Sequence, residues 1–174
     1  MYPYEIIRWN LDKHYLRDLD RQGIPVPPTI FIEPGNIEEH ETVFRDLIKT
    51  ESMLLQEFQN TVVSEGEVAL LLFGGKFSHA ILKKAKEGDF RVQDDFGGSV
   101  HDYAASAEVI DFAEKVVSVY DPLPVYARVD VIRDNNNEFI VSELELIEPE
   151  LWFRKYPRAA ELFVEAFMDF IAPV

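Results

Sequence analysis

Apolar and polar positions along the chain repeat with two periods, and the alternation between them predicts its elements. Leu11, Tyr15, Leu16 and Leu19 recur near one helical face, so a helix is expected over Leu11–Arg21, with Asn10 as N-cap and Gly23 past its end. Pro25, Pro27 and Pro28 then force extended chain, and Thr29–Ile32 reads as a short strand stopped by Pro34-Gly35. Asn36 is a candidate cap for a second helix, with Glu38, Glu39 and Glu41 in its first turns and Val43, Phe44, Leu47 and Ile48 on its apolar side. Met53–Phe58 reads as a strand and the stretch NTVVSEGE as a polar loop. Val68–Phe73 is continuously apolar, as a central strand is, and Phe77–Leu82 returns beside it through a Gly74-Gly75 turn. Lys83–Val100 reads as a polar, Gly-rich loop with at most short strands. Ser106 caps a helix to about Val119; Val125–Ile132 and Phe139–Leu146 form a second hairpin about Asp134–Asn137; Arg158–Ile171 closes the chain as an amphipathic helix. Hairpins separated by helices imply an α+β fold, an antiparallel β-sheet with flanking helices, and not a doubly wound parallel sheet.

Composition narrows the partners. Among 174 residues, 17 Lys and Arg against 32 Asp and Glu leave a net charge of −15, which excludes a nucleic-acid backbone or an anionic membrane as the main partner. The chain has no cysteine, so disulfides, thiolate metal sites and a cysteine nucleophile are excluded. No apolar run approaches the roughly 20 residues of a membrane span. The N-terminus lacks the cationic-then-apolar order of a signal peptide, and a cytoplasmic location is the expectation.

The last hairpin carries the most informative chemistry. Alternate residues of a strand share a face, so Arg128 points with Asp130, and Glu143 with Glu145. If the DNNN turn pairs the strands, three carboxylates converge on one patch, and hard oxygen ligands of this kind suit Mg²⁺ bridged to phosphates. The plain alternative is a solvated, charged hairpin face. A second cluster, Lys83, Lys84, Lys86 and Arg91, lies in the Gly-rich stretch, where Gly97-Gly98 lets backbone N–H groups approach an anion. One cluster offers cations to phosphate oxygens and the other carboxylates to a metal, the two halves of a nucleotide-triphosphate site. His14, His40, His79 and His101 are scattered, which argues against zinc, and His79 reads as a structural strand residue. Ser78 and His79 are merely adjacent, and no Ser-His-Asp arrangement is legible. Neither a Walker loop nor G-x-G-x-x-G is present.

These residues resemble a known family. Arg128-Val129-Asp130, then Glu143-Leu144-Glu145 and Pro149, have the spacing of the R-hydrophobic-D…E-hydrophobic-N…P signature of ATP-grasp ligases. The stretches IIRWNLDKHYL, GEVALLLFGGKFSHAILK, GDFRVQDDFGG and SELELIEPELWF are similar, in the same order, to bacterial glutathione-synthetase-like ATP-grasp proteins. The resemblance covers nearly the whole chain. It implies a partial ATP-grasp domain over 1–174, with a small lobe at about 24–60 and a large lobe at about 61–174. The implied enzyme activates a small-molecule carboxylate with ATP as an acyl phosphate, which an amine then attacks. Asp130, Glu143 and Glu145 would hold Mg²⁺, with room for two ions. Arg128 would stabilise the oxyanion. Arg91 and the Gly97-Gly98 loop would cover the phosphates, Lys83 would point into the cleft, Gln56, Glu57 and Phe58 would form the adenine-reading hinge, and Glu67 would lie near the ribose.

Two departures from the family pattern bear on activity. Glu145 stands where many such ligases have Asn, which a metal tolerates. The chain also begins almost at the IIRWN-like segment and passes from IFIEPGN straight to IEEHETVF, where the family has a strand with a phosphate-binding Lys-Pro pair. The expectation is therefore weak Mg-ATP binding without turnover in the chain as given, and a non-catalytic remnant acting as a nucleotide-binding or protein-interaction module is the alternative to a working ligase. An absent lobe would expose apolar surface, which leaves homo-oligomerisation open.

Overall fold

The computed structural model describes residues 4–32, 53–92 and 97–172. The helix expected after Asn36 lies outside them, as do Pro34 and Gly35. The described residues form two antiparallel sheets with helices against one of them. The small sheet pairs β1 (Thr29–Ile32) with β2 (Met53–Gln56). The large sheet has five strands: β3 (Glu67–Phe73), β4 (Lys76–Lys84), β5 (Ser99–Tyr103), β6 (Tyr126–Arg133) and β7 (Phe139–Glu145). Its spatial order is β5-β4-β3-β6-β7, antiparallel throughout. The α+β expectation holds.

The N-terminus differs from the pattern-based reading. A helix α1 occupies Tyr4–Asn10 and a second, α2, Tyr15–Arg21, with a turn between them in place of one helix from Leu11. Asn10 ends α1 and caps no helix. Its side-chain amide donates to the Leu144 carbonyl (2.7 Å) and its oxygen accepts from the Leu146 N–H (2.8 Å). Tyr15 accepts from the Leu144 N–H through its hydroxyl (3.0 Å), and the Val141 N–H donates to the Pro25 carbonyl (2.9 Å). The free edge of β7 is thereby satisfied by side chains and by the extended segment, which also removes an aggregation-prone edge. The periodicity of Leu16 and Leu19 is real; the long-range demand of an edge strand decides where the helix breaks.

The five-stranded sheet has two differently used faces. On one, Leu70, Leu72, Val129, Val131 and Leu144 form the main core with α1, α2 and α4 (Ala107–Ser118). Helix α4 begins where Ser106 accepts the Val109 N–H (3.4 Å), and it buries Val109, Ala113, Val116 and Val117 at helical spacing. The opposite face carries Glu67, Ala69 and Leu71 of β3, Ile81 and Lys83 of β4, Arg128 and Asp130 of β6, and Glu143 and Glu145 of β7, with Trp152 packed over Ala69, Leu71 and Ile81. The β3–β4 turn is Gly74-Gly75, with φ of 56° and 78°, the doubly left-handed turn that glycine adopts without strain.

Other boundaries also move. Strand β2 ends at Gln56, short of Phe58, and the stretch NTVVSEGE contains a one-turn helix, α3 (Thr61–Ser64). Strand β4 runs on to Lys84, and β5 extends to Tyr103. The last helix, α5, spans Ala159–Ile171 and buries only Ala159, leaving Val164, Met168 and Ile171 at least half exposed.

Candidate active site

Strand register alone assembles the site. Asp130 of β6 lies opposite Glu143 of β7 and Ala69 of β3; Arg128 lies opposite Glu145 and Leu71; Lys83 of β4 lies opposite Glu67. Directly opposed residues share a sheet face, so all six charged side chains stand on the face away from the main core. A bulge after Asp130 leaves Ser142 as an extra residue in β7. Its hydroxyl reaches Glu67 Oε2 (2.7 Å) and the Asp130 carbonyl (3.1 Å), tying β7 to β3 across β6.

Asp130 is fully buried at the centre. Lys83 Nζ donates to its Oδ2 (2.8 Å), and Arg128 clasps it in a fork, Nε to Oδ1 (2.9 Å) and Nη2 to Oδ2 (2.9 Å). Lys83 also pairs with Glu67, Arg128 with Glu145, and Lys13, from the turn between α1 and α2, with Glu143. Burial alone would push the Lys83 ammonium down, but Asp130 and Glu67 outweigh it and hold its pKa above the ordinary lysine value. Burial, with Asp130 adding repulsion, pushes the Glu67 carboxyl up. Burial also raises Glu145, to about 6, although Arg128 opposes the shift. The patch is a desolvated lattice of alternating charges, not a solvated hairpin face.

One carboxylate oxygen from each of Asp130, Glu143 and Glu145 lies within 4.8 Å of the others. Oxygens around one hard dication bound at about 2.1–2.5 Å stand about 3–5 Å apart, so the donor set fits a single Mg²⁺ or Ca²⁺. Asp130 Oδ2 is engaged by both Lys83 and Arg128, while Oδ1 accepts from Arg128 Nε and keeps a second lone pair for an ion.

The remaining candidates lie around this centre. Gln56 is exposed at the end of β2 and donates to Thr29 Oγ1 (3.0 Å); the Glu57 N–H donates to the Pro28 carbonyl (3.0 Å). The Phe58 carbonyl accepts from Asn135 Nδ2 (3.1 Å), which docks this segment on the β6–β7 turn. Arg91 is exposed and holds Asp89 (2.7 Å), and Phe90 beside it meets the Phe58 ring edge-on at 5.8 Å. Hydrogen bonds from Arg91 keep the Asp89 carboxyl below its ordinary range. Gly97 and Gly98 precede β5, outside the charge lattice. Lys13, Ser142 and Trp152 are neighbours of the centre that the sequence reading missed. Lys13 sits inside the LDKHYL motif, and Trp152 follows the signature proline region, but no spacing rule assigns them a place.

Comparison with known proteins agrees with this architecture. The model of the RimK-like ATP-grasp domain matches residues 35–149. The cycloserine biosynthesis protein DcsG of Streptomyces lavendulae is 28% identical over 222 aligned residues, covering 98% of this chain and 73% of that protein. That alignment is longer than the 174 residues here, so stretches of the relative have no counterpart. The crystal structure of D-cycloserine synthetase DcsG superposes with a TM-score of 0.79 at 26% identity, over 97% of this chain and 72% of that one. D-Alanine–D-alanine ligase from Bacillus anthracis, complexed with ATP, superposes with a TM-score of 0.64 at 16% identity, over 92% of this chain and 65% of that one, a likeness of fold alone. The chain belongs to the RimK-like ATP-grasp family and is an ATP-grasp ligase-like domain.

Proposed function

We propose that this chain carries the nucleotide and metal site of an ATP-dependent carboxylate–amine ligase acting on amino-acid-like substrates. The observation that carries the reading is the convergence of Asp130, Glu143 and Glu145 beside buried Lys83 and Arg128 on one sheet face. In this reading a substrate carboxylate oxygen attacks the γ-phosphorus of ATP, ADP leaves, and an acyl phosphate forms. An amine nitrogen then attacks the acyl carbon, and phosphate leaves. The substrate class draws on the relative DcsG, whose name points to cycloserine; glutathione-synthetase-like specificity rests on motif resemblance.

Asp130, Glu143 and Glu145 would hold Mg²⁺, which when bound neutralises phosphate charge. Lys83 exchanges one carboxylate for a phosphate oxygen at little cost, because its ammonium is held charged and already desolvated. Arg128 is fixed by Asp130 and Glu145 and by the Trp152 ring, 5.5 Å from its guanidinium. A cation so oriented stabilises a developing oxyanion without reorganising. Gln56, Glu57 and Phe58 would receive adenine, Glu67 the ribose, and Arg91 with Gly97 and Gly98 the phosphates.

A second reading, nucleotide binding without turnover, is favoured by the stretches of DcsG that have no counterpart here and by the missing Lys-Pro strand. Coupled measurement of ADP release with Mg-ATP and a panel of L- and D-amino acids separates the two. Amino-acid-dependent release supports the ligase; Mg-ATP binding without release supports the second reading; absence of both contradicts the nucleotide site itself.

A further inference from the structure

On the same sheet face, one row along from Ile81, β4 carries a bulge at Ser78. The bulge turns Ser78 and His79 toward each other. Ser78 Oγ lies 3.0 Å from His79 Nδ1, and His79 Nε2 lies 3.1 Å from the Leu151 carbonyl oxygen. A carbonyl only accepts, so Nε2 carries the hydrogen and Nδ1 presents its lone pair to the Ser78 hydroxyl. This is a hydroxyl, a neutral imidazole and an orienting acceptor in sequence, the arrangement by which an imidazole takes a proton. Burial keeps the imidazole below its ordinary pKa, and so unprotonated and ready to accept.

The dyad opens into a cavity of about 540 Å³. Its other charged or titratable walls are Asp102 and Tyr103 of β5, and Lys155 and Tyr156 of the segment after Trp152. The Tyr156 ring stacks on the imidazole at 5.1 Å. From α4, Glu114 accepts the Phe77 N–H (3.0 Å). Through Leu71, His79 is in register with Arg128, two strands away, about 10 Å between backbones. Trp152 packs on Leu71 and Ile81, with its ring 5.5 Å from the Arg128 guanidinium.

We propose that Ser78 and His79 form the proton-accepting end of the subsite for the attacking amine. This rests on the ligase reading. The incoming ammonium gives a proton to Ser78 Oγ as the Ser78 hydroxyl proton passes to His79 Nδ1; the freed amine lone pair attacks the acyl carbon held near Arg128; the bond from the acyl carbon to the phosphate oxygen breaks, and the departing phosphate takes the second proton from nitrogen. The imidazolium that results donates from Nε2 to the Leu151 carbonyl and from Nδ1 to Ser78. Ser78 touches the substrate, and His79 acts through it.

The test compares two acceptors with ATP, Mg²⁺ and each of the L- and D-amino acids as the carboxylate. One acceptor is the amino acid itself, an ammonium ion at neutral pH. The other is hydroxylamine, which is unprotonated there and needs no base. Ser78→Ala and His79→Gln should lose roughly a hundredfold in amide formation, and at most about a tenth of that loss should appear in hydroxamate formation. Raising the pH should restore amide formation in both variants. Ser78 is only partly buried and its hydroxyl is small, so Ser78→Ala serves if His79→Gln fails to fold. Equal losses with both acceptors, or no loss in either variant, overturn the proposal while leaving the ligase reading intact. A wild-type protein that forms neither amide nor hydroxamate overturns the ligase reading, and the proposal with it.

Discussion

Asp130 is the residue on which the charge lattice turns. Replacing it by Asn would leave Lys83 and Arg128 buried with their shared counter-charge removed, and losing one partner of a buried ion pair costs about 3–5 kcal/mol. Glu143 is part-exposed at the rim, where an ion pair contributes about 0–1 kcal/mol. Urea unfolding should therefore show a large drop in midpoint for Asp130→Asn and a small one for Glu143→Gln; equal drops would mean that the lattice is not centred on Asp130. His79 gives a second expectation. Burial depresses its pKa in the folded state below the ordinary imidazole value of about 6.5. In the window between these two values the unfolded chain binds more protons, so stability rises with pH there and is lost as pH falls below about 6.5. The stability difference between wild type and His79→Gln should shrink as pH falls through that window, and a pH-independent difference would contradict it.

At the scale of elements, the site depends on where two strands are forced together. Gly66, at φ 94°, brings the start of β3 so close to the Lys83 carbonyl that a Cβ there would collide with it. Gly66→Ala should cost about 1–3 kcal/mol from backbone strain alone, with a further loss from the collision, and should displace Lys83 from Asp130. Thermal unfolding checks the first effect and Mg-ATP titration the second; a wild-type Tm would show that β3 tolerates the change. The hairpins were legible in the sequence because their evidence is local: Val68–Phe73 is an unbroken apolar run, Gly74-Gly75 admits a single tight turn, and alternation put Asp130 and Glu143 on one face. The break between α1 and α2 was illegible, because Asn10 and Tyr15 answer to the backbone of β7, more than a hundred residues away. Lys13 and Trp152 escaped for the same reason: their neighbours are set by packing across the sheet. The hydrogen bond between Ser78 and His79 needed the β4 bulge, which no residue pattern announces.

For the whole molecule, in a chain of net charge −15, the buried cations Lys83 and Arg128 are held on one sheet face among the carboxylates of Glu67, Asp130, Glu143 and Glu145, so the phosphate ligand proposed above needs the metal as well as these cations. The sheet uses its other face for the core, so the charged face is free to be shaped by chemistry. The proposal that this chain's carboxylates and cations hold Mg-ATP is tested most directly by calorimetric titration of Mg-ATP into the wild-type protein and into Glu143→Gln. Losing a charge-assisted contact worth about 1.5–3 kcal/mol corresponds to roughly ten- to a hundredfold in affinity. The account predicts saturable, Mg²⁺-dependent heat in the wild type and binding weaker by about that factor in the variant. No binding by the wild type, or equal affinity in both proteins, would contradict it.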